Sequence, residues 1–140
     1  MRPLFLAIAA TLVPAMTFAQ TISGNEWQLL AIDGKIVEIP ASLQIEDDGG
    51  IGGKAPCNSW SAMNAGTLPA LRLNAIRATR MACDQLADEQ VFFAALALMD
   101  TVALDGPKNL ILTGPEGKSM EFTLASVSSL PECKTCTPKD

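Results

Sequence analysis

The sequence has no histidine and no tyrosine among its 140 residues, and aromatic residues make up only 5% of it. Without histidine, neither a Ser-His-Asp triad nor a Cys-His pair can form, and the commonest general base and metal ligand is missing. Asp and Glu are plentiful, but no spacing singles out a pair of carboxylates for hydrolysis. We therefore predict a protein that is not an enzyme and that carries no cofactor and no catalytic metal.

Positive charge is scarce as well. Lys and Arg total 10 against 15 Asp and Glu, which gives a formal net charge of −5 at pH 7. No basic cluster is visible, so the sequence argues against nucleic acid as a partner, because phosphates require Lys or Arg for neutralisation. The acidic run at 46–48 offers oxygen ligands for calcium without the spacing of a calcium loop, and we interpret it as a solvated turn.

Long apolar runs are also missing. Residues 1–19 have the features of a signal peptide: a positive start at Met1-Arg2, an apolar stretch from Leu4 to Val13, and small residues before a cleavage point after Ala19. The apolar stretch is shorter than the roughly 18 residues that span a bilayer, which disfavours an uncleaved anchor. The first cysteine is Cys57, so lipid attachment at a new N-terminal cysteine is excluded. We expect a periplasmic or secreted protein with no stable membrane anchor after cleavage.

The rest of the chain suits a single domain of short strands and one helix. Asp33-Gly34 predicts a hairpin turn between strands at 27–32 and 35–39. Further strands are predicted at 42–46, 51–53, 58–62, 101–104, 110–112 and 119–124, with a short irregular one at 71–76. A helix is predicted at 84–99, with acidic residues in its first turns. This order favours an antiparallel α+β domain.

Four short motifs are typical of one family. They are Glu-Trp-Gln-Leu at 26–29, Gly-Lys-Ala-Pro-Cys-Asn-Ser-Trp at 53–60, Ala-Thr-Arg-Met-Ala-Cys at 78–83, and Glu89-x-x-Phe92-x-x-x-Leu96. Together they resemble the META domain of the HslJ-like bacterial heat-shock and envelope proteins. The resemblance places a META domain at 20–124, followed by a flexible Cys-containing tail at 125–140.

This resemblance implies a strongly curved antiparallel sheet or incomplete β-barrel with one helix packed across it. HslJ-like proteins are associated with heat shock and with novobiocin resistance, which implies a non-enzymatic role in envelope stress tolerance through binding or chaperone-like contacts. An alternative is a module similar to the pilotins of secretion systems, which hold apolar ligands or partner peptides. The expected partner is accordingly an unknown protein or an apolar ligand in the envelope.

Four cysteines in an exported chain predict two disulfides, with three connectivities open. Cys57 and Cys83 occupy the two cysteine positions of the family, which implies that they pair. Closing that loop of about 27 residues would contribute about 3.5 kcal/mol in the chain-entropy model. A reactive Cys83 thiol is the alternative, because a helix N-terminus lowers a thiol pKa.

Cys133 and Cys136 form a bare CxxC that we interpret as a local disulfide, with thiol-disulfide exchange or metal binding as alternatives.

The remaining family-type residues are Asn58, Trp60, Arg80 and Glu89, and each either binds a ligand or holds the structure. We expect Asn58 to bond turn backbone and Arg80 to form an ion pair with Glu89. Trp60 departs from the family pattern, which prefers Tyr or Phe there, and Ala62 replaces a glycine.

The apolar face of the predicted helix leaves two interpretations open. It comprises Leu86, Phe92, Phe93, Leu96 and Met99. Such a face usually belongs to a filled core, but in a binding module it would border a groove.

Overall fold

The computed structural model describes residues 22–125. The predicted signal peptide and the CxxC at 133–136 lie outside the described residues. Within them the chain forms the following strands and helix, in order: β1 (Glu26–Ile32), β2 (Lys35–Ile36), β3 (Ser42–Ile45), β4 (Gly50–Lys54), β5 (Ser59–Met63), β6 (Arg77–Ala78), α1 (Leu86–Leu96), β7 (Thr101–Asp105), β8 (Asn109–Thr113) and β9 (Ser119–Leu124). In this part of the chain, no helix has the length and apolar character needed to cross a membrane.

All strand pairs are antiparallel and form one sheet in the order β6-β5-β4-β3-β1-β9-β8-β7, with β2 paired to β1. The register between β1 and β9 shifts between Leu29 and Ala31, which is a bulge that increases the bend of the sheet. Within residues 22–125 the sheet is not closed into a barrel. The predicted α+β class, with a curved, incomplete barrel and a single helix, is confirmed.

A short segment joins the two ends of the sheet. Ala70 forms an isolated bridge to Thr101 of β7, and Leu73 forms one to Asn64 just after β5. The prediction of a strand at 71–76 is therefore wrong. Leu71 is buried in the core, but the segment forms isolated β-bridges and not a strand. Each of its two bridges faces a different partner, so no continuous ladder forms.

The hairpin at Asp33-Gly34 has the expected turn. Asp33 and Gly34 have φ values of 50° and 74°, as in the two-residue turns that match strand twist. The return strand β2 is shorter than predicted and comprises Lys35–Ile36, although the Val37 N–H still donates to the Leu30 carbonyl of β1. A hydrogen bond from the Ser119 backbone N–H, and then one from Lys118, lower the pKa of the Asp33 carboxyl below its usual range.

The core lies between the inner face of the sheet and the helix. Inward-facing side chains alternate along the strands, as a half-buried sheet requires. The largest fully buried side chains of this core are Trp27, Leu43, Ile45, Leu71, Phe92, Leu96, Val102, Leu110, Leu112, Met120 and Phe122. The part of the core contributed by the helix is thus continuous with the part contributed by the strands.

Helix α1 is shorter than the predicted 84–99, since residues before Leu86 and after Leu96 form turns. Phe92 and Leu96 are fully buried, and Met99 is 5% exposed, so these three belong to a filled core. Phe93 is half-buried, whereas Leu86 is exposed. The predicted apolar face therefore does not line a groove as a whole.

Candidate functional site: a buried polar network and an open groove

The family-type residues meet where the loop before β5 touches the start of the helix. Cys57, in that loop, forms a disulfide with Cys83, which lies three residues before α1. The predicted Cys57–Cys83 bond is therefore present, with Cα atoms 5.6 Å apart. Cys83 is consequently not a free thiol. The bond ties the sheet to the segment that leads into the helix.

Beside the disulfide, the buried carboxylate of Glu89 accepts three hydrogen bonds. Its Oε2 atom accepts the backbone N–H groups of Cys57 at 2.8 Å and Asn58 at 2.9 Å, and its Oε1 atom accepts Asn58 Nδ2 at 2.6 Å. Glu89 is only 5% exposed and lies in the first turn of the helix, where the macrodipole favours a negative charge. The Glu89 carboxylate therefore accepts the backbone N–H groups of Cys57 and Asn58 in place of a backbone carbonyl.

Asn58 uses its whole hydrogen-bonding capacity inside the domain. Besides its bond to Glu89, its amide nitrogen donates to the Met81 carbonyl at 3.2 Å. Its amide oxygen accepts the Met81 backbone N–H at 2.7 Å and the Thr79 hydroxyl at 2.8 Å. An Asn side chain has two donors and two lone pairs, so none remains for a ligand. We call Asn58, Thr79, Met81 and Glu89, with the Cys57 N–H, the Asn58–Glu89 network.

The expected ion pair between Arg80 and Glu89 is wrong. The Glu89 oxygens bond the loop instead, and Arg80 is exposed without a salt bridge to the described residues. The physical reason is burial: a buried carboxylate is held by the donors that face it, and here these are the N–H groups of residues 57 and 58. The expectation that Asn58 bonds backbone agrees with its two bonds to Met81.

Trp60 lies on the inner face of β5 and fills the space between that strand and the helix. Its ring contacts Phe92 edge-on at a centroid distance of 5.9 Å and Phe93 at 6.4 Å. It is 4% exposed, and its Nε1 atom has no hydrogen-bond partner within residues 22–125. Trp60 is thus placed as a core residue, on the opposite side of the strand from the open groove described next.

A groove of about 550 Å³ lies on the outer face of β3, β4 and β5. Its floor is the glycine-rich strand β4, where Gly50 and Gly52 present backbone and no side chain. Its walls include Gln44 on one side, with Ser61 and Met63 on the other. We call it the glycine groove.

Two glycines are required by close strand contacts. A Cβ atom on Gly52 would lie 2.7 Å from the Trp60 carbonyl oxygen, and one on Gly53 would overlap the Ser42 carbonyl oxygen. Gly50 is less constrained, since its nearest contact would be the flexible Asp48 side chain at 3.0 Å. The groove that this glycine run opens was not predicted from the sequence. The sequence did contain a signal for this groove, because Gly50 and Gly52 are successive outward-facing positions of β4 and neither has a side chain.

Two side chains set the charge along the glycine groove. Arg77 lies in the same row as Gly52, through the register pairs Gly52–Ser61 and Ser61–Arg77, and forms no salt bridge with the described residues. Glu46 lines the other end, where its N–H bonds the Gly50 carbonyl. The groove therefore has a cationic end and an acidic end.

The acidic run at 46–48 forms a turn, as expected. Asp48 accepts the Gly50 N–H at 2.8 Å, so one of its oxygens caps the turn. In residues 22–125, no group of three or more Cys, Asp or Glu side chains is arranged as a metal site.

Comparison with known proteins identifies the family. The family model of the META domain matches residues 20–127, and the chain belongs to the META domain family. No curated protein matches the sequence.

Three solved structures share the fold. A Burkholderia xenovorans protein solved by NMR is 23% identical, with a TM-score of 0.59, and the match covers 90% of this chain and 98% of that one. Another protein solved by NMR is 20% identical, with a TM-score of 0.57, and the match covers 76% and 94%. A crystal structure of a DUF4847 family protein from Bacteroides vulgatus is 12% identical, with a TM-score of 0.55, and the match covers 73% and 93%. At these identities the likeness concerns the fold alone.

Proposed function

We propose that the protein is an exported, non-enzymatic META-domain protein that supports envelope stress tolerance through binding or chaperone-like contacts. The observation that carries this proposal is the Asn58–Glu89 network. Its polar groups belong to the motifs at 53–60, 78–83 and 89–96, and they bond to one another inside the domain. Because these motif residues stabilise the fold, we expect the function to depend on the exposed surfaces of the domain.

One such surface is the outer side of the helix. Ala87, Val91 and Ala94 follow the i, i+4, i+7 spacing of one side of α1, Leu98 lies in the turn just after the helix, and all four are exposed. Val91 is 50% exposed and Leu98 46%. We call these four residues the helix stripe. An exposed apolar stripe supports contact with apolar segments of unfolding proteins, since such surfaces mark interaction sites.

Suppression of heat-induced aggregation of citrate synthase tests this function. The parent protein is expected to slow light scattering, and the Val91→Ser/Leu98→Ser variant is expected to lose most of that effect. Ile36→Ser is the matched control, because Ile36 is 80% exposed in the β1–β2 hairpin rather than on the helix. Equal suppression by both variants, or none by the parent, would refute the chaperone-like role.

The location is part of the same proposal. Fractionation of the native host should recover the protein in the periplasmic or secreted fraction, with its N-terminus near Gln20 as determined by mass spectrometry. Recovery in the cytoplasm with Met1 retained would contradict export.

The glycine groove favours a second function, a pilotin-like module that binds an apolar ligand or a partner peptide. Its volume of about 550 Å³ lies within the range of roughly 300–1,000 Å³ that is usual for ligand sites. Native mass spectrometry of protein purified from the periplasm should then show a bound mass that denaturation releases. Thiol-disulfide exchange through Cys133 and Cys136 is a weaker alternative, and it predicts loss of disulfide reductase activity in the Cys133→Ser/Cys136→Ser variant.

A further inference from the structure

The glycine groove combines an apolar part with a cation. Met63, on its wall, is a large apolar side chain that is 50% exposed. Two residues along β5 from Met63, Ser61 pairs with Arg77, whose guanidinium has no ion-pair partner in residues 22–125. An apolar wall that ends at an unpaired guanidinium fits a ligand with an apolar body and an anionic head.

The hydroxyl groups near Arg77 strengthen this polar end. A second, smaller cleft adjoins the groove and shares Ser61 and Arg77 with it, and it also includes Ser59 and Thr79. Lys54 lies opposite Ser59 on β4 and donates to its hydroxyl at 2.8 Å. Two cations and the hydroxyl groups of Ser59 and Ser61 therefore gather at one end, in a chain whose net charge is −5, whereas the Thr79 hydroxyl already donates to Asn58.

The length of the glycine groove limits the length of the ligand. The strand that forms the floor runs from Gly50 to Lys54, a length of about 14 Å at the usual rise of a strand. Glu46 disfavours a second anionic group at the far end, because its carboxylate lines that end and would repel one. A single extended chain with one anionic head satisfies both constraints.

We propose that the glycine groove binds a single-chain carboxylate amphiphile, with its carboxylate on Arg77 and its apolar chain along Gly52 and Gly50 toward Met63. This inference rests on the second function proposed above. A guanidinium holds a carboxylate through two parallel hydrogen bonds, and the bare backbone of the glycines lets an alkyl chain lie against the sheet. Lys54 adds long-range attraction that salt screens.

Calorimetry on the purified full-length protein tests the inference. It compares the affinity for decanoate with the affinity for decanol, the neutral analogue. The parent should prefer decanoate by about tenfold, as a charge-assisted contact implies. Arg77→Gln should remove that preference. Arg80→Gln is the matched control, because Arg80 is an exposed arginine three residues away that does not line the groove, and it should change affinity less than about twofold.

Amide shifts in NMR spectra locate the site. Decanoate should shift the signals of Gly50 and Gly52, and Ser61→Trp, which fills the groove from its exposed wall, should abolish both the shifts and the binding. Urea unfolding of each variant checks that it is folded. Equal affinity for decanol and decanoate, an equal loss in Arg80→Gln, or capture of phosphatidylglycerol vesicles or an acidic peptide without decanoate binding would overturn the proposal.

The same variants separate this inference from the function on which it rests. A periplasmic ligand seen by native mass spectrometry and lost in Ser61→Trp, together with no decanoate preference, would reject the carboxylate and retain the binding module. Absence of both the native ligand and probe binding would reject both.

Discussion

Replacing Glu89 with glutamine perturbs the centre of the buried network while keeping its shape. The carboxylate accepts N–H groups from Cys57 and Asn58 and the Asn58 side-chain amide, so every group that faces it is a donor. Glutamine has one acceptor and one donor at its end. Whichever way its amide is turned, a donor faces a donor at a place where the carboxylate bonds are 2.6–2.9 Å long.

The expected loss follows from these contacts. A hydrogen bond to a charged group contributes about 1.5–3 kcal/mol, and a buried donor without a partner costs about 1–3 kcal/mol. Glutamine can still satisfy part of the network, so we expect Glu89→Gln to lower the free energy of unfolding by about 3 kcal/mol. For a domain of this size, that corresponds to a fall in Tm of about 12 °C.

Urea denaturation followed by tryptophan fluorescence measures this loss as a lower midpoint at unchanged slope. Glu46→Gln provides the control, because Glu46 is an exposed glutamate for which the change should be within about 0.5 kcal/mol. A loss below about 1 kcal/mol in Glu89→Gln would refute the reasoning, since it would mean that the three donors find other partners at little cost.

Three further results are expected. Cys57→Ala/Cys83→Ala should lower stability by about 3.5 kcal/mol, and adding a reductant to the parent should reproduce much of that loss in thermal unfolding. Phe92→Ala should cost about 3–5 kcal/mol in urea unfolding because Phe92 is fully buried, whereas Val91→Ala, at the exposed neighbour, should cost less than about 0.5 kcal/mol. The lowered pKa of Asp33 means that its contribution to stability is present above its ordinary pKa and is lost as the pH falls through the folded value. Asp33→Asn should remove that part of the pH dependence, and an NMR titration of the parent that gave Asp33 an ordinary or raised pKa would contradict it.

Local features of the fold could be predicted because their causes are local. The hairpin at Asp33-Gly34 depends on two residues that adopt positive φ readily, and both are visible in the sequence. The burial of Phe92 and Leu96 follows from helical spacing alone. The predicted helix extended too far at both ends, because Asp84 and Leu98 suit a helix in composition, whereas residues 84–85 and 97–98 form turns.

The site was harder to predict because its bonds are distant in the chain and partly made by backbone. Glu89 bonds N–H groups 31 and 32 residues away, and a backbone N–H leaves no trace in residue type. The positive charge of Arg80, in contrast, is visible in the sequence, so the sequence suggested Arg80 as the partner of Glu89. The glycine groove was missed for a related reason: Gly50 and Gly52 show that side chains are missing, but only the strand register shows that Ser61 and Arg77 stand beside them.

The disulfide and the network hold the same loop to the helix by different physical means. The Cys57–Cys83 bond restricts the unfolded chain, so it brings the loop near the helix without setting a precise arrangement. The Glu89 carboxylate acts in the folded state, where its bonds to Cys57 and Asn58 allow one orientation of the helix start. A helix fixed in this way keeps Phe92 against Trp60 on its inner side. The helix residues of the helix stripe, Ala87, Val91 and Ala94, are thereby presented outward on a rigid element, which lowers the entropy cost of contact with a partner.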